Sequence, residues 1–162
     1  MYSEHQITQT LTYPKIFNAL DQSPLIVTPD RPLNEVISLM REEDSKSYVL
    51  VCDEGSSLIR GIFTERDGVK LAIKGDKIQG MTVKEAMTTA IITLTITETT
   101  GLLTALKILQ KHSIRHLPAV DLLGNLLGVL TGESIRLCLQ PVNLLKLRLV
   151  REVMTINVLT AL

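Results

Sequence analysis

The sequence predicts an α+β protein made of two copies of one strand-helix-strand-strand-helix unit. Three observations predict it: a repeat at a near-constant offset, an apolar stripe at helical spacing in each copy, and paired β-rich runs joined by Asp/Gly turns. The repeat carries the most weight. Gly61-Ile62-Phe63-Thr64-Glu65-Arg66-Asp67 returns as Gly128-Val129-Leu130-Thr131-Gly132-Glu133-Ser134, an offset of 67. Val83-Lys84-Glu85-Ala86-Met87-Thr88 returns at the same offset as Val150-Arg151-Glu152-Val153-Met154-Thr155. Upstream, Val49 to Asp53 pairs with Leu117 to Asp121 at 68, so the loop between must differ by one residue.

The elements follow in order. An apolar run opens each copy as a strand, Leu25 to Val27 and Ile91 to Ile96. Leu33, Val36, Ile37 and Met40 then lie on one face of a helix, as do Leu102, Leu103, Ala105, Leu106 and Leu109 in the second copy. A hairpin comes next: Tyr48 to Cys52 with Leu58 to Phe63, and His116 to Val120 with Leu126 to Leu130, turning at Asp53-Glu54-Gly55 and Asp121 to Asn125. Thr64 and Thr131 stand where an N-cap belongs, opening helices Glu65 to Ile73 and Gly132 to Leu139. The expected organisation is a lead-in over 1–17, units over 18–80 and 81–145, and a segment 146–162. Within that last segment, Met154 to Thr160 reads as a linker and first strand, which either folds back as an extra strand or introduces a further unit of a longer protein, the second being favoured.

Composition narrows the function. Seventeen acidic residues balance seventeen basic ones and aromatics are 3%, which argues against the basic, aromatic-studded surface of a nucleic-acid binder. No apolar run approaches the roughly 20 residues of a membrane span, and Met1 to Thr12 lacks the basic-then-apolar order of a secretory signal. A cytoplasmic protein is expected. Cys52 and Cys138 sit in apolar neighbourhoods and read as buried, reduced thiols. His5, His112 and His116 do not combine with the cysteines at metal-ligand spacing, and neither a phosphate-binding Gly loop nor a nucleophile elbow is present. Neither a catalytic residue nor a metal site is therefore expected, and the chain reads as a non-enzyme.

The ordered, duplicated segments resemble the cystathionine-β-synthase (CBS) domain pair, or Bateman module. The resemblance rests on Ile114-Arg115-His116-Leu117-Pro118-Ala119-Val120-Asp121, on Gly61 to Asp67 and on the Val83 to Thr88 linker, and covers roughly Ser23 to Gln140. It implies two domains packed through their sheets about a pseudo-twofold axis, two clefts between them, homodimerisation and control of a downstream effector domain. It also implies a regulatory ligand, AMP, ADP, ATP, S-adenosylmethionine or a cyclic dinucleotide.

By that resemblance Asp67 accepts the ribose hydroxyls, a task suited to a carboxylate with two acceptor oxygens. Thr64 adds its hydroxyl at the helix start, and Arg115 and His116 reach phosphates from the other domain. Ile26, Val27 and Thr28, with Met87 and Thr88, would meet the base. On spacing alone Thr64 and Asp67 are equally a capping arrangement. The second copy departs from the pattern. Ser134 replaces the carboxylate beside Thr131, and Ser47 and Tyr48 replace Arg115 and His116, so one cleft is complete and the other depleted. The amphipathic helices at Leu33 to Met40 and Leu102 to Leu109 suggest the dimer surface. The alternative function is a structural dimerisation module without a ligand.

Overall fold

The computed structural model describes residues 16–42, 46–75 and 78–139. Each copy forms a three-stranded sheet with two main helices. The first holds β1 (Ile26–Val27), α1 (Leu33–Glu42), β2 (Tyr48–Cys52), β3 (Ile59–Thr64) and α2 (Glu65–Lys74). A short helix, α3 (Val83–Ala86), leads into β4 (Leu94–Thr95), α4 (Leu102–Lys111), β5 (His116–Val120), β6 (Leu126–Thr131) and α5 (Gly132–Cys138). Both sheets run outer, middle, last: β1 parallel to β2 and β2 antiparallel to β3, and likewise β4, β5 and β6. The two are mixed α+β units of one design. Among the described residues no helix is long and apolar enough to cross a membrane.

The one-residue loop difference is real. β2 and β3 are joined by Asp53 to Leu58 and β5 and β6 by Asp121 to Asn125, and each hairpin has a register shift at the same point, after Val51 and after Ala119. The opening strands are shorter than the apolar runs suggest. Each pairs on one side only and over two residues, Ile26 and Val27 opposite Leu50 and Val51, and Leu94 and Thr95 opposite Ala119 and Val120. The linker helix α3 was not expected; Thr82 nucleates it, donating from its backbone N and Oγ1 to the Glu85 carboxylate at 2.7 and 2.9 Å.

The middle strands explain the packing. Alternate residues of a strand face opposite ways. Val49 and Val51 point into the first domain's core with Leu33, Val36, Met40 and Phe63, while Leu117 and Ala119 enter the second with Leu102, Ala105, Leu109 and Ile135. The opposite faces of the sheets meet each other. Tyr48, Leu50 and Val129 form a separate buried cluster flanked by Ile59, Ile62 and Leu126. A strand covered on both faces should be apolar throughout, and every residue of β2 is buried.

The domains also exchange their lead-ins. Asp21, which precedes β1, pairs with Val129 of β6 through hydrogen bonds of 2.9 and 3.0 Å. Thr88, which precedes β4, pairs with Ile62 of β3 at 2.8 and 3.0 Å. Each offset is again 67, so the exchange is reciprocal. The 3₁₀ turn Ile16–Ala19 follows the same route, placing Ile16 and Ala19 in the second domain's core. The segment corresponding to Val150–Thr160 lies outside the described residues.

This crossing needs two glycines. A Cβ on Gly128 would come within 2.7 Å of the Asp21 carbonyl oxygen, which is backbone and cannot yield, and Gly128 has φ of +154°. At the equivalent Gly61 the obstruction is the flexible side chain of Met87. Gly128→Ala is therefore expected to cost at least about 1–3 kcal/mol in chemical denaturation, and Gly61→Ala clearly less. Equal costs would contradict a lead-in pressed against the β6 backbone.

Candidate functional site

The β3-to-α2 junction carries the first group of site residues. Thr64 is the extended N-cap and Asp67 the third helical residue, joined as a capping box. Asp67 Oδ2 accepts from Thr64 N at 3.0 Å and from Thr64 Oγ1 at 2.7 Å. Its other oxygen, Oδ1, accepts from the Lys70 ammonium at 3.3 Å, its one partner among the described residues. Lys70 is 61% exposed against 13% for the Asp67 side chain, so the cation is the partner that can swing away. Asp67 thus combines both roles the sequence allows: one oxygen caps the helix, and the other faces the cleft behind a displaceable lysine.

The second domain supplies the opposite wall. Thr64, Asp67 and Lys70 line a cavity of about 190 Å³ together with Arg115 and His116. Thr88 of the exchanged linker completes it. Five of the residues singled out for this cleft from sequence, Thr64, Asp67, Thr88, Arg115 and His116, therefore meet in one place, joined by Ser47, which was expected at the other cleft. Lys70 and Arg66 add cations that the sequence reading missed. Their positions one turn from Asp67 and one residue before it were the available signal.

His116 serves a junction as well as the cavity wall. It stands at the seam between the sheets, sharing a 2.9 Å hydrogen bond with Ser47 Oγ and packing its ring 4.6 Å from that of Tyr48. Burial, with the neighbouring Arg115 charge as a second cause, pushes its pKa down to about 4. At neutral pH it is an uncharged hydrogen-bonding ring.

Ile26 and Thr28 are placed elsewhere. They line a different depression, with Arg31 and the Cys52 to Ser57 turn. β1 is the outer strand, with β2 between it and β3, where the cavity beside Asp67 opens. Thr88 reaches the cleft because the lead-in exchange lays it on β3.

The second copy repeats the scaffold with other chemistry. Thr131 and Ser134 form the same capping box, but Ser134 Oγ donates to the Thr131 carbonyl at 3.0 Å and accepts from Thr131 N at 3.1 Å. Nothing like the spare oxygen of Asp67 remains. Thr131 lines a groove of about 550 Å³ with Gly132, Glu133 and α4 residues including Leu106 and Leu109; Ser47, Arg115 and His116 border it as well as the first cavity, and Ser134 is not among its walls. It is larger than the first cavity, yet the carboxylate and both α2 cations are absent from it. Tyr48 is buried and its hydroxyl donates to Asp21 at 2.7 Å.

Both cysteines are free, Cys52 buried and Cys138 half-buried, and burial pushes the Cys52 thiol above its ordinary pKa. The expected dimer faces are already used. Leu33, Val36 and Met40 on α1, and Leu102, Ala105 and Leu109 on α4, are buried in their own domain cores.

Comparison with known proteins agrees with this architecture. The CBS domain family is matched twice, over residues 18–73 and 83–140. An inosine-5'-monophosphate dehydrogenase of Bacillus subtilis is 33% identical over 113 residues, 70% of this chain but 22% of the enzyme. The chain thus spans about a quarter of the length of the dehydrogenases it resembles. Among solved structures, the CBS domain protein PAE2072 from Pyrobaculum aerophilum, complexed with AMP, has a TM-score of 0.68 at 20% identity, covering 83% of this chain and 98% of that one. The CBS domain pair of protein MJ0100, in complex with 5'-methylthioadenosine and S-adenosyl-L-methionine, has a TM-score of 0.65 at 22% identity, covering 76% and 97%.

The neutral imidazole at the seam has a measurable consequence. The unfolded chain takes up a proton near the ordinary histidine pKa of about 6.5, whereas folded His116 resists until about 4. Stability should be level above pH 6.5 and fall as pH drops through that window, by up to about 1.4 kcal/mol per pH unit. Melting temperatures from pH 7.5 to 4.5 are expected to show this fall, largely removed in His116→Asn. An undiminished fall in the variant would contradict the assignment.

Proposed function

The chain belongs to the CBS domain family, and on that premise we propose that it is a regulatory module sensing an adenine nucleotide between its two domains. The observation that carries the reading is the single cleft in which Asp67 of one domain faces Arg115 of the other, with Thr64, Lys70 and Thr88 between. Ribose hydroxyls would replace Lys70 on Asp67 Oδ1. Arg115, Lys70 and Arg66 would take phosphate oxygens, Arg115 through its planar fork.

The wall chemistry favours AMP, ADP or ATP over S-adenosylmethionine. Three cations against Glu65 and Asp67 leave a positive balance that suits a phosphate and opposes a sulfonium. Solved relatives in complex with AMP support the nucleotide, and one in complex with S-adenosyl-L-methionine marks the competing ligand. A ligand touching both domains favours the arrangement it fits best, and that difference is what an effector, attached or separate, would read. Association as a homodimer belongs to the same reading. With the α1 and α4 faces committed, the surface for it is on α2, where Val69 and Ile73 are 57% and 80% exposed. The free cysteines suit a reducing, cytoplasmic setting.

One observation favours the second reading, a structural dimerisation module without a ligand. Asp67 and Ser134 complete equivalent capping boxes, so Asp67 has a structural task of its own. Calorimetric titration with AMP separates the two. Asp67→Asn keeps an amide oxygen for the cap but removes the charge, and should weaken AMP about tenfold or more. Arg115→Ala should weaken AMP more than adenosine. Wild-type affinity in Asp67→Asn, or no binding to the native chain, would overturn the nucleotide reading.

A further inference from the structure

The walls of the nucleotide cleft have counterparts across the pseudo-twofold axis. Thr88 corresponds to Asp21, Ile114 to Lys46, and Arg115 and His116 to Ser47 and Tyr48. The correspondence is structural as well as textual, since Asp21 pairs with Val129 as Thr88 pairs with Ile62. Where the first cleft has a small hydroxyl and an apolar side chain, the counterpart positions across the axis carry a carboxylate and an ammonium, and neither borders the open groove beside Thr131.

These groups are bound to each other. Asp21 Oδ2 accepts from Lys46 Nζ and from Tyr48 Oη, each at 2.7 Å, while Oδ1 accepts from Ser23 N at 3.1 Å. The Asp21 and Lys46 side chains are 29% and 26% exposed; every other described ion pair has a partner at 42% or more. Burial opposes the Asp21 charge, but the donated hydrogen bonds outweigh it and hold the carboxyl below its ordinary pKa, while burial and Asp21 push the Tyr48 hydroxyl well up. Asp21 is therefore ionised and fully engaged at neutral pH.

We propose that Asp21 is a built-in occupant of the second inter-domain cleft: its carboxylate takes the donors that an anionic ligand would need and so limits the chain to one nucleotide site. The donors concerned are Lys46 and Tyr48, and an incoming anion would meet the Asp21 charge as well as lose those partners. The cluster also touches the occupied side, because the Tyr48 ring stacks on His116, a wall of the first cleft. The two clefts differ through one lead-in residue as much as through Ser134.

Removing the carboxylate should open the second cleft to anions. The backbone pairing of residue 21 with Val129 needs no side chain, and Asp21→Ser keeps an acceptor for the Ser23 amide, so this variant guards against misfolding of Asp21→Ala. The probe is inorganic phosphate, which tests the second cleft independently of adenine recognition. Amide NMR titration of the native chain is expected to show phosphate shifts near Arg66 to Lys70 and Arg115. In both variants a second set should appear around Leu20 to Ser23 and Lys46 to Tyr48, with an affinity at least about tenfold above that of the native chain at those positions. That result supports the proposal even if the native chain fails to bind AMP. Absence of the second set in a folded variant, or its presence at equal strength in the native chain, would overturn it.

Discussion

The reciprocal exchange of lead-in segments is the constraint on which the rest depends. Four backbone hydrogen bonds, two at Asp21–Val129 and two at Thr88–Ile62, tie each domain's entry to its neighbour's last strand. The exchange requires glycine where the chains cross, carries Ile16 and Ala19 into the other domain's core, and fixes the facing of the sheets that buries Tyr48, Leu50 and Val129. It also decides which residues stand in each cleft. Units of this size are near the lower limit for an independent core, and exchange lets each borrow apolar surface from the other.

A symmetric scaffold then acquires asymmetric chemistry through a few side chains. Asp67 and Ser134 cap their helices equally well, yet only the carboxylate has an oxygen left over. Arg115 faces a hydroxyl counterpart in Ser47, and Thr88 a charged one in Asp21. At the seam, Ser47, His116 and Tyr48 form one hydrogen-bonded and stacked group shared by both sides. Its histidine is neutral, so the seam holds together by polar contact without placing a cation at the sheet interface. A ligand that moves Arg115 acts on a residue adjacent to this group, which gives occupancy a short physical route to the packing of the domains.

Much of this was legible in the sequence because the repeat made each copy a check on the other. The hairpins, the Thr64 and Thr131 caps and the loop difference follow from local rules, and the meeting of Asp67 with Arg115 follows from the family resemblance. What was hidden depends on burial or on partners distant in sequence. The charge state of His116 is set by the seam around it. Ile26 and Thr28 were assigned by the family resemblance, and they line a depression away from the cavity beside Asp67. The helix faces at Leu33 to Met40 and Leu102 to Leu109 announce a buried stripe but not what buries it, and their own domains do so. Asp21 carried no motif at all; only its pairing with Val129 gives it a place in a cleft.

The central claim is that, of the two clefts related by the repeat, one is chemically complete. A crystal structure of the chain grown with AMP tests it most directly. The account predicts one nucleotide per chain, its ribose hydroxyls on Asp67, its phosphate at Arg115 and Lys70, and the Asp21–Lys46–Tyr48 cluster intact. A nucleotide seated against Ser134 with Asp21 displaced, or AMP bound away from both Asp67 and Arg115, would contradict it.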